Sequence, residues 1–330
     1  NYIMLSSSSR ILLRTASRVG GRTALRAFAA RTATTTSPSP KILSDTVQSR
    51  FNYGQVAFKS TVAHDTMAPR DEYNVSSTIT GADACNQVGI DSLGITNPTT
   101  IYRNMTYQQF FEHETTNNEG KVAHAEYGDT FCVDTGKFTG RSPKDKWLVK
   151  NIGSESDQNI WWGNVNQPTT PEVFKELYDK AVAHFNTLDK CYVFDGFCGA
   201  SPSSQRKVRF VHEMAWPSHF VTNMFIRPEN YEQLDNFTPD FTVINACSQV
   251  NEEWEKHNLN SDVAVVFNIE ERKAVIFGTW YGGENKKGIF SLMNYWLPMQ
   301  DPPQVSRLFK NETVTLQRCR GHDVINKRLF

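Results

Sequence analysis

Val263-Ala-Val-Val-Phe-Asn268, Ile269-Glu-Glu-Arg-Lys273, Ala274-Val-Ile-Phe-Gly278 and Thr279-Trp-Tyr-Gly-Gly-Glu-Asn-Lys-Lys-Gly-Ile-Phe290 follow one another in the chain. Two apolar runs rich in valine and isoleucine, joined by a short charged segment, predict a β-hairpin. Residues 288–297 return to helical patterning. Between hairpin and helix stand Trp280, Tyr281 and the adjacent Lys286 and Lys287, set among glycines. Glycine permits turns that other residues avoid and lets a ligand approach the backbone. Neighbouring ammonium groups repel, which favours loss of one proton, and a neutral lysine can serve as base or metal ligand. A solvated basic turn between strand and helix accounts for the same residues.

Outward from this stretch, strand and helix signals alternate. Thr130 to Val133, Cys191 to Phe197, Lys207 to Val211 and Phe241 to Asn245 read as strands. Thr170 is an N-cap candidate with Pro171 at the first helical position. Phe174, Leu177, Tyr178, Ala181, Phe185 and Leu188 recur at helical spacing, predicting a helix over 171–188. Helices interspersed with strands and one hairpin indicate an α/β (mixed α+β) domain built on a mixed sheet.

The 330 residues balance 35 Lys and Arg against 35 Asp and Glu, but unevenly. Residues 1–41 hold seven basic residues and no acid, so the remainder has 28 basic against 35 acidic groups. An acidic body argues against a nucleic-acid partner. No apolar run reaches the roughly 18 residues that a membrane-spanning helix needs. Six cysteines without a Cys-x-x-Cys pair read as reduced, buried thiols. Arg10, Arg14, Arg18, Arg22 and Arg26 recur every four residues in a Ser- and Ala-rich leader, which reads as a transit peptide over 1–40 addressed to the mitochondrial matrix. A basic tail on a cytoplasmic protein is the alternative. Residues 41–85 are expected to be a disordered linker, the folded domain to span 86–300, and 301–330 to form a divergent tail. The sequence leaves the oligomeric state open.

A second candidate site is Asp134-Thr-Gly-Lys-Phe-Thr-Gly-Arg-Ser-Pro-Lys-Asp-Lys146, where Arg141 lies between Gly140 and Pro143. An arginine so held suits a bidentate grip on carboxylate or phosphate, although a surface turn closed by an Asp–Lys pair fits the residues too. His212, Glu213 and His219 lack zinc-site spacing and read as structural. Gly283 to Gly288 matches the outer glycines of a P-loop, but Ile289 and Phe290 stand where lysine and Ser/Thr are required.

Several stretches together closely resemble the ATP-dependent phosphoenolpyruvate carboxykinases over roughly residues 86–299. They are Asp134 to Lys146, Phe197-Cys-Gly-Ala200, Val208-Arg-Phe210, Ala215-Trp216, His219-Phe220-Val221, Asn223-Met-Phe-Ile-Arg-Pro228, Gly278 to Gly288 and Met293-Asn-Tyr295. The resemblance implies a carboxykinase N-terminal domain and conversion of oxaloacetate and ATP to phosphoenolpyruvate, carbon dioxide and ADP, in gluconeogenesis. It implies substrate contacts from Arg141, Tyr281 and Lys287, catalytic roles for Lys286 and Lys287, and Lys287 as a neutral-amine ligand of Mn²⁺ or Mg²⁺ that also meets ATP. After Met299 the family pattern stops. The implied metal-binding histidine, P-loop and metal-binding aspartate have no counterpart in residues 300–330, where His322 and Asp323 lack matching flanks. The expectation is a truncated carboxykinase, with a substrate-binding module lacking catalysis, or a half that pairs with another chain, as alternatives.

The leader makes the first testable statement. A reporter fused to residues 4–45 should accumulate in mitochondria on imaging; diffuse cytosolic fluorescence, or plastid signal, contradicts the address.

Overall fold

The computed structural model describes residues 75–125 and 128–299. The leader, the linker before residue 75 and the tail after 299 lie outside the described residues. The strands are β1 (Ser77–Thr80), β2 (Thr100–Arg103), β3 (Lys121–Ala125), β4 (Gly128–Cys132), β5 (Lys146–Val149), β6 (Gln167–Thr169), β7 (Lys190–Cys198), β8 (Arg206–His212), β9 (Phe241–Ala246), β10 (Ala264–Asn268) and β11 (Lys273–Phe277). The helices are α1 (Ala84–Val88), α2 (Tyr107–Thr116), α3 (Glu155–Asn159), α4 (Pro171–Phe185), α5 (Ala215–Met224) and α6 (Gly283–Met299).

Nine strands form one sheet in the order β1-β2-β7-β8-β9-β11-β10-β5-β6, and β3 pairs with β4 apart from it. Pairing is antiparallel for β1/β2, β7/β8 and β10/β11, and parallel for the other neighbours. The mixed sheet expected from the alternating pattern is therefore present. In the predicted hairpin, Ala264 faces Phe277 and Asn268 faces Lys273.

Both faces of the sheet are covered, which explains why its central strands read as unbroken apolar runs. Side chains alternate across a strand. On β10, Val265 and Phe267 pack towards Ile289, Leu292 and Met293 of α6. Ala264 and Val266 pack towards Phe174, Leu177, Ala181 and Phe185 of α4. Helix α5 joins α6 through Val221, with Phe225 just beyond its end. Helix α4 starts where Thr170 accepts the amide of Val173 at 3.3 Å. It ends at Phe185, three residues short of the expected 188, because the Thr187 and Leu188 amides turn back to the carbonyls of His184 and Phe185.

The fold begins earlier than expected. Residues 75–85, assigned by sequence to the linker, contain β1 and the start of α1, and Val75 is buried. Strand β1 is a polar edge strand of four residues with alternating half-buried and exposed positions, so it has no apolar run to announce it. The other edge, β6, is three residues long and contains Pro168. Thr130 to Val133 is likewise not a lone strand. It overlaps β4, which pairs antiparallel with β3.

A buried charge cluster ties β2, β7 and β8 together. Asp195 on β7 has no exposed surface and accepts from Arg209 Nε at 2.7 Å and Nη2 at 2.8 Å. Arg103 Nη2 reaches the same carboxylate at 2.6 Å, and Asn104 exchanges two hydrogen bonds of 2.7 Å with the Asp195 backbone. Removing one partner of a buried ion pair strands the other charge away from water. Asp195→Asn leaves two arginines without their anion and is expected to cost about 3–5 kcal/mol, measured by urea unfolding.

Candidate active site

Helix α6 begins at Gly283, five residues before the expected start at 288. Lys286 and Lys287 are therefore helical, which corrects the reading of this stretch as a basic turn. Successive helical residues do not face each other, so adjacency in sequence does not bring the two ammonium groups together. Both are half-buried, and Lys287 Nζ stands 4.5 Å from the Phe290 ring centroid.

The glycines here chiefly admit close packing. A Cβ on Gly282 would lie 2.8 Å from the Phe220 ring and 3.0 Å from Trp216, both on α5. One on Gly288 would lie 2.3 Å from the Phe267 ring of β10. Glycine thus seats α6 directly against α5 and the sheet. The buried Asn285 accepts from Asn245 Nδ2 on β9 at 3.3 Å, fixing the first turn of α6 to the sheet.

The second sequence candidate meets this helix. Exposed Arg141 precedes Ser142, whose amide donates to Glu284 Oε1 at 2.6 Å in the first turn of α6. Asp145 holds the loop from its other end, bonding to the Ser142 hydroxyl and accepting from Ser261 Oγ at 2.8 Å. The structure thus brings the Arg141 loop to the helix end that carries Lys286 and Lys287. Half-buried Tyr281 lies two residues before that helix, its amide bonded to Thr279 Oγ1 at 3.2 Å.

Sequence reasoning gave no role to Lys146 or Glu284, although both lay within quoted motifs. Burial, then the charge of Arg141, pushes Lys146 down to about 7, while Glu284 draws it back up. Burial also raises Glu284, against the opposing pull of the Ser142 amide, Arg141 and Lys146. Arg141, Lys146 and the buried Glu284 therefore gather at the first turn of the helix that bears Lys286 and Lys287, the end where an anion is favoured.

The histidines behave as structural groups. His212 bonds to Ser218 Oγ at 2.9 Å, and His219 to Glu114 at 2.8 Å while stacked on Phe110. Glu176, Glu253 and His257 could offer three metal-ligand atoms within 4.8 Å of one another. However, Lys180 and Lys256 already neutralise their carboxylates. This cluster lies with α4, on the opposite face of the sheet from α6, and reads as an ion-pair network.

The family model for phosphoenolpyruvate carboxykinase matches residues 99–305. This chain belongs to the phosphoenolpyruvate carboxykinase family. It is 54% identical over 211 residues to the phosphoenolpyruvate carboxykinase (ATP) of Campylobacter jejuni subsp. doylei, covering 64% of this chain and 39% of that protein. It is 49% identical over 216 residues to that of Sulfurimonas denitrificans, covering 66% and 40%. For Leptospira biflexa the identity is 44% over 216 residues, covering 66% and 39%. The chain thus spans about two fifths of the length of these carboxykinases.

His212 supplies a pH prediction for this carboxykinase fold. Burial is the main reason its folded pKa falls from 6.5 to about 3. Between those values the unfolded chain takes up a proton that the folded chain refuses, so stability falls as the pH drops. Urea midpoints should decrease from about pH 6.5 downward. His212→Gln should flatten this slope by about one proton per molecule.

Proposed function

We propose that this chain forms the substrate side of an ATP-dependent phosphoenolpyruvate carboxykinase site, binding oxaloacetate and phosphoenolpyruvate. The observation that carries the reading is the Ser142–Glu284 hydrogen bond, because it places the Arg141 loop at the start of the helix bearing Lys286 and Lys287. Arg141, exposed on its loop, grips a carboxylate. Tyr281 borders the substrate. Lys286 and Lys287 with the helix end stabilise the enolate charge that develops on decarboxylation, as fixed cations do.

The divalent metal, Mn²⁺ or Mg²⁺, would supply Lewis acidity to the phosphoryl group. Half-buried Lys287 fits one nitrogen ligand of such an ion, and the described residues around it do not complete a ligand set. Glu284, one turn away, is engaged with Ser142. The remaining ligands and the ATP-binding loop are expected from a part of the carboxykinase outside these 330 residues. A gluconeogenic role and delivery to mitochondria by the Arg-spaced leader belong to the same proposal. A substrate-binding module without catalysis is the second reading.

Calorimetric titration with phosphoenolpyruvate and oxaloacetate tests the site. Arg141→Ala should weaken binding by roughly tenfold or more, the worth of a hydrogen bond to a charged group. The 330-residue chain with ATP and Mn²⁺ should form no phosphoenolpyruvate, since loss of one arginine finger alone can cost about 10³–10⁵ in phosphoryl transfer. Turnover by the chain alone contradicts the module reading; a folded chain that binds neither ligand contradicts both readings.

A further inference from the structure

We infer that Glu284 is the positioning residue of this site: its carboxylate sets where the Arg141 loop stands relative to the helical turn carrying Lys286 and Lys287. The inference rests on the proposed function for the identity of the ligand, but the clamp itself can be tested without one.

Glu284 is only 4% exposed, and a carboxylate withdrawn from water needs compensating partners. Its own helix contributes the favourable field of its N-terminal turn. The decisive partner comes from 142 residues earlier in the chain, the Ser142 amide at 2.6 Å. Ser142 is the immediate neighbour of Arg141 and cannot move without carrying it. The Ser142 hydroxyl is also bonded to Asp145, and Asp145 to Ser261 just before β10. The loop is thus pinned at two points, one on the sheet side and one on α6. Lys287 lies three residues beyond Glu284, on the same side of the helix one turn on, so the contact that fixes Glu284 also registers Lys287 against the loop.

Charge supports the same assignment. Glu284 feels the positive charges of both Arg141 and Lys146, and those two cations oppose each other. Lys146 opens β5 and borders a small apolar cavity with Leu148, Phe267, Leu292 and Tyr295 beneath α6. Glu284, together with the nearby buried Asp145, offsets the two like charges, while Arg141 is exposed.

Hydrogen exchange at the Ser142 amide, read by NMR on the 330-residue protein, tests the clamp directly. In the wild type this amide should be protected; exchange at the rate of an open amide overturns the inference. Glu284→Met keeps the side-chain length and loses the acceptor. It should speed exchange by roughly ten- to hundredfold, the worth of one hydrogen bond to a charged acceptor, and weaken phosphoenolpyruvate binding by about tenfold or more. Glu284→Gln keeps an acceptor oxygen without the charge and should fall between the wild type and Glu284→Met in exchange. Cooperative melts confirm that each variant is folded. Where Glu284→Met does not fold, Glu284→Asp retains the charge, shortens the reach by one methylene and should show both losses in smaller measure. Unchanged exchange in the acceptor-deleting or shortened variant overturns the clamp. Faster exchange with undiminished phosphoenolpyruvate affinity overturns the positioning role. Failure of the wild type to bind phosphoenolpyruvate, with Ser142 protected, removes the proposed ligand and leaves the clamp standing.

Discussion

The structure depends on burying both faces of one mixed sheet. Because β9, β10 and β11 are covered by α4 on one side and α6 on the other, each central strand must be apolar at successive positions. The polar groups that remain inside must find partners. Asp195 illustrates the demand: three charged side chains from three strands close on one another, and the adjacent Asn104 completes the backbone bonding. Such a cluster adds little net energy compared with apolar packing, yet it is intolerant of losing a member.

That packing also explains where the candidate site lies. Helix α6 can reach the sheet so closely because Gly288 leaves room for the Phe267 ring, while Gly282 does the same for rings of α5. The first turn of α6 is braced by Asn285 against β9. The Arg141 loop runs into β5, which pairs with β10 in the same sheet. Loop and helix converge because both belong to neighbouring elements of one layer. Positive side chains from two distant stretches then meet at an end of a helix that already favours anions.

Much of this was legible in the residues. Periodic helices and apolar strands reveal themselves, so α4, the hairpin and the mixed sheet were readable. Family resemblance rested on motifs whose order in the chain is itself specific. What escaped had physical reasons. Strand β1 is polar and at an edge, so it lacks the pattern that burial imposes. The early start of α6 was hidden by glycines, which ordinarily suggest turns but here admit neighbouring rings. Pairing of Glu284 with Ser142 spans 142 residues, and no local pattern announces a contact of that range. The depressed basicity of Lys146 depends on burial that only the assembled sheet creates.

The two ends of the sheet carry a separate consequence. An open sheet offers unpaired amides and carbonyls along its outer strands, a template on which another chain can add. Here one outer strand has four residues, three of them polar, and the other is three residues interrupted by a proline. Proline offers no amide to a newcomer, and strands so short provide few bonds with which to recruit one. Among the described residues, the large sheet is thereby guarded against edge-to-edge growth, and its nine-stranded layer does not need to close into a barrel.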